Sequence, residues 1–273
     1  MYIDSHVHYD MKVFNKDRET MLADIRQRGI DKVVNAAITF ESNYEMREKL
    51  GMYDWIYYSV GIHPNRVGTD DSVDERWETG LLSLTADKDK TVAVGETRLD
   101  FYRLNRSGKG ELDEESVLKL ARQYKWFRKQ IKLAICMNLP LILHVRDAHT
   151  EAIDILKEYA EDIPEVNAGV VHCFNGTLEE AIEYIRLGFS IGIGGLICDE
   201  ENSALRDAVV GIPINKILLE TDSPYVVPKG INERRNSSLN LPIIAEELAK
   251  IKGLDIAEVL EITSNNTREL FDL

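Results

Sequence analysis

Cysteine is scarce in this sequence. Cys136, Cys173 and Cys198 are its only three, too few and too widely spaced for a disulfide framework. A reducing compartment is implied, and a cytoplasmic location is expected. No apolar run approaches the ~20 residues of a membrane span. The opening MYIDSHVHYD has no basic stretch followed by an apolar one, so no secretory signal is expected. Low-complexity segments and short internal repeats are absent too. Positive charge is in deficit: 33 Lys and Arg against 47 Asp and Glu, for a net charge of −14. A protein that holds long duplex DNA with its whole surface is usually basic. Here most of the exterior would repel a phosphate backbone. A nucleic-acid substrate would have to be met locally, by metal ions and a few Arg and Lys at a cleft. The plainer alternative is that the acidity serves solubility alone. No membrane and no obligate protein partner are expected.

What is present is an alternation. Eight short, nearly continuous apolar runs occur at Tyr2–Ser5, Lys32–Ile38, Ile56–Ile62, Thr91–Glu96, Pro140–His144, Ala168–His172, Phe189–Ile193 and Lys216–Glu220. Such runs are how strands buried on both faces read. Between them lie stretches with helical spacing and end signals: Lys16–Arg28, Ser42–Leu50, Asp113–Met137, Asp147–Ala160, Leu178–Leu187, Ser203–Val210 and Leu241–Ile251. Thr177 reads as an N-cap and Gly188 as a stop. The tail Asp255–Leu273 reads as two short helices. The 273 residues match one (β/α)8 TIM barrel of about 250 residues, although two small domains would also fit the length. The expected fold is α/β, a single TIM barrel domain over residues 1–273; a doubly wound open sheet is the alternative. Two long segments after strands, Arg103–Asp113 and Val226–Ser238, are the most basic patches of the chain and belong on the catalytic face.

The ends of the runs carry the chemistry. His6 and His8 end the first run, and residues i and i+2 of a strand face the same side. His63 ends the third, Glu96 the fourth, His144 the fifth, His172 the sixth and Asp222 the eighth. Of the six histidines only His149 falls elsewhere. Imidazole and carboxylate together suit zinc, iron, manganese or similar divalent ions. A central Glu can bridge two ions, and a pair ~3.5–4 Å apart would activate water and clamp the leaving oxygen. A single histidine is most simply a satisfied core residue, and HxH alone is weak; the ordered series HxH, Glu, His, His, Asp is specific.

These residues lie in IDSHVH (Ile3–His8), VGIHP (Val60–Pro64), VGETRLDFYR (Val94–Arg103), PLILHVRDA (Pro140–Ala148), GVVHCFNG (Gly169–Gly176), LLETDSPYVVP (Leu218–Pro228) and NNTRELF (Asn265–Phe271). Together they resemble the TatD family of metal-dependent hydrolases, within the amidohydrolase-like barrels, over nearly the whole chain. The resemblance implies that His6, His8 and Asp222 hold one metal, that His144 and His172 hold a second, and that Glu96 bridges them. It implies two divalent ions (zinc, magnesium, manganese or similar), with Asp222 also orienting or deprotonating the attacking water as general base. It further implies a deoxyribonuclease, often acting from a DNA end: here a 3′-end exonuclease on single-stranded DNA. Two departures leave the ligands alone but bear on substrate. Thr97-Arg98-Leu99-Asp100 stands where the family usually has Ile-Gly-Leu-Asp, and Arg103–Asp113 is longer than usual.

Around the ligands, Arg98 changes the mouth of the site. Arg146, two past His144, would bind a phosphate or pair with a rim carboxylate. His63 would donate to substrate or hold structure. Asp147 reads as an N-cap, Cys173 as packing away from the metal, and Trp55, Trp77 and Trp126 as core. Gly192, Gly194 and Gly195 would admit a substrate or serve packing. Tyr225 would stack on a base or pack in its loop. Two other functions remain alternatives: a hydrolase of a small ester, amide or nucleotide, and a catalytically idle metal-binding scaffold. The complete ligand set argues against the last.

Overall fold

The protein, seen in a computed structural model, is described over residues 1–63, 74–102, 104 and 111–273. Most of the long Arg103–Asp113 segment therefore lies outside the described residues. Eight strands alternate with helices: β1 (Tyr2–Val7), α1 (Arg18–Gln27), β2 (Ile30–Ala36), α2 (Ser42–Leu50), β3 (Ile56–Val60), α3 (Asp74–Thr85), β4 (Thr91–Asp100), α4 (Glu114–Met137), β5 (Leu141–Arg146), α5 (His149–Lys157), β6 (Gly169–His172), α6 (Leu178–Arg186), β7 (Phe189–Ile193), α7 (Ser203–Gly211), β8 (Ile217–Leu219), α8 (Leu241–Lys252) and α9 (Ile256–Phe271). The strands form one parallel sheet in chain order, β1 to β8. This is the TIM barrel, with its active face at the C-terminal ends of the strands.

β8 meets β1 without a ladder of its own. One parallel bridge, Val7 to Ser223, lies beyond the end of β8. The closure is reinforced by backbone bonds from Asp222 N to the His6 carbonyl (3.0 Å) and from His8 N to the Ser223 carbonyl (2.8 Å). Side chains do the rest. Ser5 Oγ donates to the Leu219 carbonyl at 3.0 Å. The fully buried Asp4 accepts from Thr221 N (3.0 Å), Thr221 Oγ1 (2.6 Å) and Ser238 Oγ (2.6 Å). Burial pushes the Asp4 carboxyl up to about 7 despite these donors.

α4 sets the other half of the mouth. It starts at Asp113, whose side chain caps Ser116 N, and stops at Asn138 in the left-handed region. Its inward face buries Trp126, Phe127, Ile131 and Ala134, together with two glutamines. Gln130 accepts from Ile62 N and donates to the Ile62 carbonyl and to Thr97 Oγ1. Gln123 accepts from Asp100 N and donates to the Asp100 carbonyl. Buried amides that satisfy backbone groups in this way fix the chain on either side of His63 and Arg98.

Several elements differ from the sequence reading. The tail is one helix, α9, and α3 forms where none was expected. β4 runs on to Asp100, so Arg98 sits inside the ladder opposite His144. Asp147 is not a cap: it has φ +54, and α5 begins after Ala148 with no side-chain cap. The glycines of strand seven serve packing. A Cβ at Gly192 would lie 2.5 Å from Glu220 Oε2, and one at Gly195 would lie 2.4 Å from the Val226 carbonyl. Trp55, Trp77 and Trp126 are buried, and Thr177 caps α6 within a full capping box.

Candidate metal centre

β1 carries His6 within the strand and His8 just past it, on the same side. Their Nε2 atoms stand 3.2 Å apart. His8 Nδ1 lies 2.7 Å from the Ala36 carbonyl, which it can satisfy only as a donor, so Nε2 is the nitrogen that faces the mouth. Asp222 follows β8 in the left-handed region, φ +54. That geometry costs about 1–3 kcal/mol and is held by surrounding bonds: Asp222 N to His6, His8 N to Ser223 and Tyr225 N to the Asp222 carbonyl. It turns Asp222 Oδ1 to 3.4 Å from His8 Nε2 and 3.8 Å from His6 Nε2.

On the opposite side His144 Nδ1 and His172 Nε2 are 2.9 Å apart. Glu96 joins the two sides. Its Oε1 lies 2.8 Å from His144 Nδ1 and 3.2 Å from His172 Nε2, while Oε2 lies 3.8 Å from His6 and 3.7 Å from His8. Gly95, just before it, has φ +153, and a Cβ there would lie 2.5 Å from the Ile142 carbonyl, so only glycine lets the chain deliver Glu96 here. His6 belongs to both halves, since its ring stacks on that of His172 with centroids 3.9 Å apart.

Charge is tightly balanced in this buried cluster. Burial opposes charge on Glu96, but His172 and His144 outweigh it and hold the carboxyl well below its usual range. Burial, then the neighbouring His172 and His8, depress His6 well below 6.5. Burial, reinforced by Arg98, brings His144 down to about 4 against the pull of Glu96. Burial would lower His8 as well, yet its bond to Asp222 and the charge of Glu96 raise it to about 9. His172 is raised well above its ordinary value by Glu96 and Glu220, which outweigh burial.

The donors fit divalent cations. Ligand atoms of His6, His8 and Asp222 all lie within 4.8 Å of one another, as do those of His6, Glu96 and His172. Ligands around one zinc-like ion at about 2.0–2.2 Å can be no more than about 4.4 Å apart, and the 3.2, 3.4 and 3.8 Å separations among His6, His8 and Asp222 already meet that limit. Imidazole nitrogens facing each other at 3.2 and 2.9 Å can share one proton or turn their lone pairs to a cation between them.

Of the substrate candidates, His63 is buried at the end of β3 and bonds to Arg98 Nη1, while Arg98 Nη2 pairs with the fully buried Asp100. Arg146 lies with its guanidinium 3.6 Å over the exposed Tyr102 ring. Tyr225 does not pack away in its loop: it is 45% exposed, with its ring edge-on to His8 at 5.9 Å. Cys173 has φ +47 and donates its N–H to Glu220 Oε1 at 2.5 Å.

Glu220 is the residue that sequence reasoning missed. It is fully buried with Oε1 3.5 Å from His172 Nδ1, behind the nitrogen that faces Glu96. A carboxylate there orients the ring and raises its basicity. Its signal was available: an acid two residues before Asp222.

A family model described as TatD related DNase matches residues 3–272. The chain is 30% identical over 271 residues to a protein of Bacillus subtilis named uncharacterized metal-dependent hydrolase YabD, covering 99% of both chains. It is 33% identical over 266 residues to a protein of a Rahnella species named 3′-5′ ssDNA/RNA exonuclease TatD, covering 95% of this chain and 94% of that one. The crystal structure of YJJV, a TatD homolog from Escherichia coli, superposes with a TM-score of 0.86 at 28% identity, over 100% of this chain and 98% of that one.

Proposed function

The chain belongs to the TatD related DNase family of metal-dependent hydrolases, and from that premise we propose that it is a two-metal phosphodiesterase removing nucleotides from the 3′ end of single-stranded DNA, with residues 1–273 as one domain acting in the cytoplasm. The observation that carries the reading is the double facing of Glu96, one oxygen toward His144 and His172 and the other toward His6 and His8. His6, His8 and Asp222 would hold one cation, His144 and His172 the other, and Glu96 both. Zinc, manganese or magnesium ions bound there would polarise a phosphoryl oxygen and lower the pKa of water.

The chain's own groups supply the rest. Asp222, at the mouth beside His8, takes the proton of the attacking water as general base. Glu220 holds the His172 ring in register. His63, Arg98 and Arg146 orient the anionic substrate from the β3–β5 side through charge-assisted bonds. The name carried by the Rahnella relative supports the nucleic-acid substrate and its polarity. A second reading, hydrolysis of a small ester, amide or nucleotide, is favoured by Arg98, whose bond to His63 crowds the mouth.

The test uses metal-loaded protein on end-labelled single-stranded DNA beside a panel of small esters and amides. Stepwise shortening from the 3′ end is expected, with close to two divalent ions per chain by elemental analysis. Glu96→Ala should abolish turnover and lower the metal content while the barrel stays folded. Absence of any bound metal after adding zinc, manganese or magnesium refutes the centre. Turnover confined to the small substrates favours the second reading.

A further inference from the structure

Arg146 ends β5 two residues after His144, half-buried, with its guanidinium carbon 3.6 Å over the centre of the exposed Tyr102 ring. Among the described residues no carboxylate pairs with it. The ring holds the cation without taking its N–H donors, which leaves them for a phosphate.

Arg98 stands on the neighbouring strand. The β4–β5 register sets Arg98 opposite His144 and Asp100 opposite Arg146, so the two guanidiniums are diagonal neighbours at one lip of the mouth. Asp100, itself locked by Gln123, orients Arg98, and His63 takes its other end. His63 in turn lies 6.3 Å from His144, ring centre to ring centre. The cationic lip is thus about one side chain beyond the ligand atoms rather than among them, in a chain with a net charge of −14. An anion attached to the metal centre and no larger than one phosphate would not need a second clamp there.

We infer that the β4–β5 lip is a second phosphate subsite, formed by Arg98 and Arg146 and bordered by His63, which takes the phosphate next along the strand from the one being cleaved. The inference rests on the nuclease reading above and deepens it: the substrate must present at least two phosphates spaced by a nucleoside. Single-stranded nucleic acid meets that requirement, and a lone phosphodiester does not.

The experiment measures the affinity of the metal-loaded protein for thymidine 3′,5′-bisphosphate, thymidine 5′-monophosphate and thymidine 5′-diphosphate by calorimetry. The bisphosphate should bind at least about tenfold tighter than the monophosphate, the worth of one or two charge-assisted bonds. Arg98→Gln and Arg146→Gln should each erase most of that ratio, whereas Lys157→Gln on α5, with the same charge change, should keep it. Circular dichroism establishes that each variant is folded. A wild-type ratio near one, or a ratio kept in both arginine variants, overturns the subsite. A diphosphate that binds as tightly as the bisphosphate overturns the nucleoside spacing. DNA turnover on the same preparation separates the two readings. Loss of turnover with the ratio intact sinks the nuclease reading alone, and normal turnover with no ratio sinks the subsite alone.

Discussion

Asp222 combines a strained backbone with a proposed chemical task, and the two can be separated by substitution. Asparagine tolerates the left-handed region and keeps an oxygen ligand, so Asp222→Asn should preserve both the turn after β8 and the metal content. It removes the proposed proton acceptor, and kcat should fall on the order of 10²–10⁴-fold. Metal content and the pH–rate profile are to be measured on one preparation; near-normal kcat with full metal would reduce Asp222 to a ligand. At this scale the candidate ligands were legible because each ends an apolar run, where the alternation of strand faces leaves little choice of direction. Glu220 and Asp4 were not. Each sits two residues from a candidate ligand inside a run that reads as buried strand, and its role depends on what lies across the barrel: His172 for one, Thr221 and Ser238 for the other.

Among the elements, α9 shows how polar residues can mislead. The tail Asp255–Leu273 reads as two short helices, yet one helix passes straight through Ser264, Asn265, Asn266 and Thr267. Thr263 and Thr267 donate back to carbonyls four residues earlier, and Asn266 donates to the Ile214 and Ile217 carbonyls leading into β8. Ser264 accepts from Ile3 N at the start of β1. The polar residues are fasteners of the barrel floor, which no local propensity reveals. α3 was missed although Trp77, Leu81 and Leu84 recur on one helical face.

A further fastener makes a pH prediction. Arg268 of α9 and Arg26 of α1 both bond Asp31 at the start of β2. Burial would raise that carboxyl, but bonds from Arg268 and then Arg26 outweigh it and lower it below its ordinary 3.8. A depressed acid adds stability that is present above the unfolded value and lost as pH falls through the folded one. Asp31→Asn should therefore lower stability at pH 7 by about 1 kcal/mol or less, as for a partly exposed pair. The gap from wild type should close below about pH 4. Denaturant melts at pH 7 and pH 3 check this; a gap that persists at pH 3 would show that the loss comes from packing and not from charge.

Over the whole molecule, sequence alternation was enough to specify eight parallel strands because each strand is buried on both faces and each helix on one. It could not specify how the last strand meets the first. β8 is only three residues long, and the barrel closes through Asp222, Ser223 and the side chains around Asp4. His6 and His8 approach from one side of this junction and Asp222 from the other. A cation held by all three spans the gap between the chain's first strand and its last. Saturating metal, at a hundred times its dissociation constant, would add about 2.7 kcal/mol and raise Tm by about 5–10 °C. A melting temperature indifferent to a chelator would contradict this.

An ion bound at the same junction would be the clasp of a bracelet. With the clasp fastened, both ends of the barrel strands are tethered and the ring opens only by global unfolding. Stripping the ion should let the ring breathe first at that one joint. Amide hydrogens of residues 4–8 and 219–223 would then exchange ahead of those in β3 to β6, so the place where chemistry happens would also be the place where the molecule comes undone.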